Sequence, residues 1–225
     1  MLEDRERWRR RSVLAFLASG AAACICGAVQ AAGLVSDDGS PIRLVDAGGR
    51  AQPQDFVHSQ RFGAEKPDVI LLEFFDYNCG FCRGAWRPMT GLLAADAGLA
   101  LHLVHFPILS PASEEAAAVQ QAVFRRDGSL RAGDLHGLLM TTQGRVDKER
   151  TRAACAHLRI SEPSSSQIEE ARMEIAQTRK MCARLGIRFT PTFSIADTTF
   201  IGWPGPETIK ALVTDARTCG RINCS

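Results

Sequence analysis

The sequence predicts an α/β protein in which helices flank a small mixed sheet and a further block of helices interrupts the chain. Two patterns support this prediction. Between residues 69 and 105 a strand, a helix and a strand follow one another, which is the order of a parallel crossover unit. Between residues 190 and 218 two strands and a helix follow, and the residues between these halves are helical in pattern.

In the first half, the sequence predicts a strand, a helix and a second strand and the residues at which they end. Val69–Phe75 is a nearly continuous apolar run, typical of a strand buried on both faces. A helix is predicted from Cys79 to about Asp96, with Gly98 ending it. Leu99–His105 is predicted as the second strand, stopped by the proline that follows Phe106.

Four helical patterns predict an all-helical insertion over residues 111–186. The last has a capping-box signature, Ser166 with Glu169 three residues later, and Gly186 suits its C-terminal cap. One face of that helix is apolar at helical spacing, and it carries Ile168, Ala171, Ile175, Cys182 and Leu185. The four patterns cover residues 114–124, 134–140, 147–158 and 167–185.

The last part of the chain predicts an antiparallel hairpin and a helix. Residues 190–195 and 199–203 are the two strands, joined by a turn at 196–198. Pro206 suits the first turn of the final helix, whose inward residues are expected to be Ile209, Leu212 and Val213. Before the first strand, residues 33–66 read as a loose lead-in with one edge strand at 42–46.

Composition and charge describe a globular chain without affinity for nucleic acid. The 225 residues are 45% hydrophobic and 23% charged, which is enough for a core and excludes disorder as the dominant state. The net charge of +2 arises near the N-terminus, where the first eleven residues hold five arginines and three acids. Removing these leaves 22 of the 27 basic and 22 of the 25 acidic side chains, so the remainder is formally neutral. Phosphate binding requires a clustered basic surface, so no nucleic-acid partner is expected.

The N-terminus has the pattern of a secretory signal peptide over residues 1–31. Arginines up to Arg11 precede an apolar stretch rich in small residues, and Val29-Gln30-Ala31 suits cleavage. Arg10-Arg11 also resembles a twin-arginine signal, so the export route stays open. An uncleaved membrane anchor and a lipoprotein site at Cys24 are the alternatives.

Six of the eight cysteines remain after such cleavage, and an even number in an oxidising compartment indicates disulfides. Outside the pair at 79 and 82, four cysteines allow three pairings. We favour Cys155–Cys182, both in the helical insertion, and Cys219–Cys224, which would close a small loop. Buried free thiols and a second redox relay at Cys219 and Cys224 are the alternatives.

Cys79-Gly80-Phe81-Cys82 at the start of a helix predicts a redox-active disulfide. The helix N-terminus stabilises a thiolate at Cys79, and Cys82, one turn later, can close a disulfide with it. Half of a zinc site and a purely structural bridge are the alternatives. Zinc would require two further ligands, and the sequence has no second Cys-x-x-Cys.

Two separated motifs resemble the DsbA family of bacterial thiol–disulfide oxidoreductases, especially the members with Gly and an aromatic residue between the cysteines. They are EFFDYNCGFCR at residues 73–83 and GIRFTPTF at residues 186–193. The resemblance implies a thioredoxin fold with an inserted all-helical domain, without cofactor or metal. The domains would then be a lead-in (32–66), a thioredoxin-fold domain (67–110 and 187–218), the helical insertion (111–186) and a tail (219–225).

The resemblance also implies roles for single residues. Cys79 matches the exposed nucleophile and Cys82 the buried resolving cysteine. Thr190-Pro191 matches a loop whose proline is cis and which, with Phe81, contacts substrate. Glu73 matches a buried acid of raised pKa that relays a proton for Cys82, the alternative being a solvated residue at a sheet edge.

Two features of the motif limit what the resemblance implies. Strongly oxidising members carry His just before the second cysteine, where Phe81 stands here, so the redox potential cannot be carried over. Arg83 either compensates with positive charge or is a solvated helix residue. No histidine pairs with acids in a catalytic pattern: His102 and His105 are expected to be structural, and the solvated or capping ones are His58, His136 and His157.

Together these features predict an exported, periplasmic thiol–disulfide oxidoreductase, acting as oxidase or isomerase rather than reductase. Its substrates would be cysteine-containing exported proteins, and a membrane or soluble redox partner would recycle the active site. The alternative is a non-catalytic chaperone, or a copper- or zinc-handling module, that uses the same cysteines.

Overall fold

The structure is a computed structural model that describes residues 33–45 and 50–224. The predicted signal peptide at residues 1–31 lies outside this range. None of the described helices is both long enough and apolar enough to cross a membrane.

A six-stranded sheet forms the centre of the fold, with strand order β1-β6-β5-β3-β4-β2. Only β3 and β4 are parallel among the paired strands described, and the other pairs are antiparallel. The strands are β1 Arg43–Leu44, β2 Gln60–Gly63, β3 Val69–Phe75, β4 Leu99–His105, β5 Thr192–Ile195 and β6 Thr198–Ile201. The helices are α1 Gly80–Ala95, α2 Pro111–Thr141, α3 Lys148–His157, α4 Ser165–Arg184 and α5 Pro206–Cys219.

This arrangement is the thioredoxin fold with a helical insertion that the sequence predicts. The parallel β3–β4 pair and the antiparallel β5–β6 hairpin are both present, and α2, α3 and α4 lie between the two halves in sequence. The unpredicted element is β2, which pairs with β4 at the sheet edge. Its four residues lie in a polar segment that contains glycine, so the local sequence does not predict a strand there. The segment becomes a strand because it pairs with β4.

The two faces of β3 enter different cores because successive side chains of a strand point to opposite faces. Leu71 and Phe75 pack with α1, α5 and much of the insertion. Leu72 and Phe74 pack on the other face with Ile187 and Cys182, next to α4. Both neighbours of β3 are strands, so it is buried along its length, as its apolar sequence predicts.

One pair of helix predictions is confirmed and one prediction requires correction. The patterns at residues 114–124 and 134–140 are two helical segments within α2, because Gly128 takes a positive φ of 83°, outside the helical region, and breaks the helix between them. Helix α4 begins at Ser165 with Ser164 as its N-cap, so the capping box is Ser164 with Gln167 instead of Ser166 with Glu169. Both of its hydrogen bonds form, Gln167 N to Ser164 Oγ at 3.3 Å and Ser164 N to Gln167 Oε1 at 2.8 Å.

The predicted Cys155–Cys182 disulfide is wrong, whereas Cys219 and Cys224 are bonded. Cys155 is buried in the core that α1 and the insertion share, and Cys182 is buried on the other face of the sheet, against Phe74 and Phe106. Two helix positions that face different cores cannot approach to bonding distance. Both side chains therefore act as small apolar core residues.

This distinction can be tested by alkylating the unfolded, unreduced protein. We expect peptides containing Cys155 and Cys182 to carry the alkyl group, because both are free thiols, and the Cys219–Cys224 peptide to remain bridged. Peptide mapping by mass spectrometry is the measurement. Recovery of a Cys155–Cys182 cross-linked peptide would contradict the structure.

Candidate active site

The candidate site lies where β3 ends and α1 begins. Cys79 is the N-cap of α1, and its sulfur accepts a hydrogen bond from the backbone N–H of Cys82 at 3.4 Å. An N-cap position places the sulfur at the positive end of the helix dipole, among amides that lack helical partners. The structure holds both cysteines as thiols.

The two thiols differ strongly in acidity. Hydrogen bonding from the Cys82 side chain lowers the pKa of Cys79 to about 6, against the effect of burial, and backbone amides of Cys82 and Phe81 add to the lowering. Burial raises the pKa of Cys82 well above its ordinary value, and its interaction with Cys79 and the charge of Glu73 act in the same direction. At neutral pH the pair therefore consists of a thiolate at Cys79 and a neutral thiol at Cys82.

Glu73 is fully buried on β3, on the same face of the strand as Leu71 and Phe75 and so on the face that carries α1. Neither carboxylate oxygen has a hydrogen-bond partner among the described residues. Burial, followed by the negative charge of Cys79, raises its pKa to about 8. The alternative of a solvated edge residue is excluded, because β3 has a strand on each side. A carboxyl group of this pKa can give a proton to Cys82 or take one from it.

The loop before β5 completes the site. The Thr190–Pro191 peptide bond is cis, and the Cys79 thiol donates a hydrogen bond to the Thr190 carbonyl at 3.3 Å. Phe189, just before it, is 46% exposed, and Phe81 of α1 is 75% exposed. The structure therefore brings Cys79 of the first sequence motif against Thr190 of the second, which lies 111 residues later in the chain.

Sequence reasoning missed Asp76, a buried carboxylate that organises the loop before Cys79. Its Oδ2 accepts hydrogen bonds from the backbone N–H groups of Ile108 and Leu109, both at 2.9 Å, and its Oδ1 accepts one from Asn78 N at 2.7 Å. Its backbone carbonyl accepts one from Cys79 N at 3.0 Å. Asp after a strand is a common turn residue, so the sequence has no signal for this role.

Asn78 and Arg83 attach the helical insertion to the active-site loop. Asn78 exchanges two hydrogen bonds with the backbone of Val146, at 2.7 and 2.9 Å. Arg83 donates to the carbonyls of Tyr77 at 2.6 Å and Gly144 at 2.7 Å. Arg83 is thus neither a solvated helix residue nor only a source of charge, since it fixes one loop against another.

The prediction that His136 is solvated or caps a helix is wrong. It is fully buried, its Nδ1 lies 3.0 Å from the Tyr77 hydroxyl, and its ring packs edge-on against Trp86. Burial lowers its pKa well below the ordinary value, so the ring is neutral. His105 is also buried, with a pKa lowered to about 4 by burial, and lies 2.6 Å from the Gln120 side chain, in the structural role the sequence suggests.

Within residues 33–45 and 50–224, no cluster of three or more His, Cys, Asp or Glu side chains is arranged to hold a metal ion. A cavity of about 400 Å³ lies at the opposite end of β3, where Val69, Ala51 and Gly220 are among its lining residues.

A thioredoxin fold with an acidic and a buried cysteine two residues apart, next to a cis-proline loop, defines the class of thiol–disulfide oxidoreductases. Residues 57–215 match the model of the thioredoxin family, so the chain belongs to that family. Within it, the helical insertion and the site make this chain a DsbA-like oxidoreductase.

Solved structures of other proteins share this fold. A thioredoxin-like oxidoreductase from Silicibacter pomeroyi DSS-3 is 26% identical, with a TM-score of 0.66 over 75% of this chain and 99% of that one. A periplasmic thioredoxin-like protein from Salmonella enterica serovar Typhimurium is 19% identical, with a TM-score of 0.68 over 75% and 99%. The thiol–disulfide exchange protein alpha-DsbA2 from Wolbachia pipientis is 21% identical, with a TM-score of 0.61 over 73% and 98%. No curated protein matches the chain in sequence.

The acidity of Cys79 predicts a pH profile for its alkylation. In the reduced protein, we expect the rate with iodoacetamide to rise through about pH 6 and then level off, because the thiolate is the nucleophile. The rate at Cys79, followed by peptide mapping, is the measurement, with the buried Cys182, whose pKa burial raises to about 12, as the internal control. A midpoint at the ordinary thiol pKa would contradict the lowering of the Cys79 pKa by its hydrogen bonds with Cys82.

The burial of Glu73 predicts that this residue destabilises the fold as pH rises. Its folded pKa of about 8 exceeds the ordinary 4.5, so the folded state binds more protons than the unfolded state between these values. We expect its contribution to the free energy of unfolding to fall by about 3 kcal/mol from pH 5 to pH 8. The free energy of unfolding in urea is measured for the wild type and for Glu73→Gln at both pH values. The difference between the two proteins at pH 5, minus the same difference at pH 8, gives the contribution of the Glu73 carboxyl group.

The matched control is Glu65→Gln, the same chemical change at an exposed position. If the wild type minus Glu73→Gln difference were independent of pH, the carboxyl group would not be buried as the structure shows.

Proposed function

We propose that this protein is exported to the periplasm and exchanges disulfides with folding proteins that contain cysteines, as an oxidase or isomerase rather than a reductase. The observation that carries the proposal is the asymmetry of the pair, an acidic Cys79 above a buried, weakly acidic Cys82. A stabilised thiolate favours the reduced form of the enzyme, and an enzyme that is stable when reduced oxidises its substrates.

The oxidation of a substrate dithiol follows from this geometry. A substrate thiolate attacks the sulfur of Cys79 in the oxidised enzyme, the Cys79–Cys82 bond breaks, and Cys82 takes a proton from Glu73. The second substrate thiolate then attacks the substrate sulfur of the mixed disulfide. The substrate disulfide forms and Cys79 leaves as the thiolate that its pKa of about 6 favours. Isomerisation would use the reduced enzyme, with Cys79 as the attacking group.

Export is supported by the signal pattern of residues 1–31 and by the Salmonella protein of the same fold, which is described as periplasmic. In such a compartment the substrates are exported proteins with cysteines. Each oxidation leaves the enzyme as a dithiol, so a redox partner, in the membrane or soluble, must remove two electrons before the next cycle.

The experiment that tests the proposal compares cysteine variants in the oxidation of a reduced, unfolded protein and in the reduction of insulin. Cys79→Ser is expected to abolish both activities, because it removes the sulfur that forms the mixed disulfide. In the insulin assay, Cys82→Ser is expected to accumulate a mixed disulfide visible on non-reducing gels, because Cys79 breaks an insulin disulfide and no resolving thiol remains to release the bound insulin chain.

The double variant Cys219→Ser/Cys224→Ser is the matched control. It removes two sulfurs at the far end of the fold and should leave the oxidation rate unchanged. Full activity of Cys79→Ser in both assays would reject the proposal.

A further inference from the structure

The charge around Cys79 is not balanced, although the chain without its N-terminal residues is formally neutral. Five segments surround the active site: residues 43–44, 73–83, 107–110, 142–147 and 187–191. Their basic residues are Arg43, Arg83, Arg145 and Arg188. Their acidic residues are Glu73 and Asp76, both buried, and Asp147, whose Oδ1 accepts a hydrogen bond from Arg150 N at the start of α3.

One side of the site presents Arg145. It is exposed and precedes Val146, which two hydrogen bonds hold against Asn78 of the active-site loop. It also follows Gly144, whose carbonyl accepts a hydrogen bond from Arg83. The loop that carries Arg145 is therefore fixed beside Cys79.

The cis-proline loop, which contacts Cys79 through Thr190, presents two further arginines, Arg188 and Arg43. Arg188 is exposed and directly precedes Phe189 in the cis-proline loop. The guanidinium of Arg43, at the edge of the sheet, lies over the Phe189 ring, 5.5 Å from its centroid. Positive charges thus accompany both loops that are hydrogen-bonded to the active-site segment, one through Asn78 and one through Cys79.

None of the three exposed arginines Arg43, Arg145 and Arg188 lies within 4 Å of a carboxylate among the described residues. The same segments also carry exposed apolar side chains, with Phe81, Leu109 and Phe189 exposed by 75%, 53% and 46%. Unpaired guanidinium groups and exposed apolar side chains on the same segments match a segment that has an apolar middle and acidic flanks.

We propose that the site selects extended substrate segments in which acidic residues flank the reacting cysteine. This inference rests on the proposed function and adds the substrate class. The arginines attract the acidic flanks before the sulfurs meet, and they disfavour basic segments.

The test uses three reduced peptides of one length, each with two cysteines that can form a disulfide. The cysteines are flanked by Glu in one peptide, by Gln in the second and by Lys in the third. The oxidised full-length protein accepts two electrons from each peptide, so the peptide becomes a disulfide and Cys79 and Cys82 become thiols. Flanking charge also alters the acidity of the peptide thiols. Each rate is therefore divided by the rate of the same peptide with 2-hydroxyethyl disulfide, which is small and neutral.

The normalised rate of the Glu peptide should exceed that of the Gln peptide by about fivefold, as two or three exposed charge pairs would give, and the Lys peptide should be slowest. In 1 M salt, where screening acts within about 3 Å, the three rates should converge. Arg145→Gln/Arg188→Gln should reduce the Glu-to-Gln ratio to within about twofold. The control Arg50→Gln/Arg221→Gln makes the same charge change beside the cavity at the far end of β3 and should keep the ratio.

Equal normalised rates for the three peptides, or an unchanged ratio in Arg145→Gln/Arg188→Gln, would overturn the inference and leave the proposed function standing. If the protein oxidised none of the peptides, both the inference and the proposed function would fail.

Discussion

The position of Cys79 as the N-cap of α1 is the constraint on which the site depends. As the N-cap, Cys79 ends the loop that follows β3 and begins the helix, and its side chain faces the free amides of the first turn. The same position brings Cys82 to the sulfur one turn later, where the Cys82 side chain lowers the pKa of Cys79 most and the backbone amides of the first turn lower it further. The same position faces the Thr190 carbonyl, so acidity and access to substrate have one structural origin.

The acidity of Cys79 has a cost elsewhere in the fold. Glu73 lies in the central strand without a hydrogen-bond partner among the described residues, and burial of such a carboxyl group favours its neutral form. The thiolate of Cys79 increases that preference further. The protein thus holds a buried carboxyl group of raised pKa in its central strand, and the stability that this group contributes is lost as pH rises from 4.5 to about 8, a compromise typical of functional sites.

Two loops support the active site, and one of them belongs to the helical insertion. Asp76 accepts hydrogen bonds from the loop that follows β4, whereas Asn78 and Arg83 bind the segment between α2 and α3, within the insertion. These contacts are mostly to backbone atoms, so they fix the position of a loop whatever its side chains are. The charge at position 145 can therefore differ without moving the loop. Through Arg145 the insertion can determine which substrates approach.

The sequence alone determined the class of fold, the parallel pair of strands, the hairpin and the reacting cysteines, because periodicity and the Cys-x-x-Cys spacing are local properties. Only the tertiary structure decided that β2 joins the sheet, that Cys155 and Cys182 remain apart, and that His136 is buried. Each of these depends on which core a side chain enters. That choice is made by packing between segments distant in sequence, and local pattern does not record it.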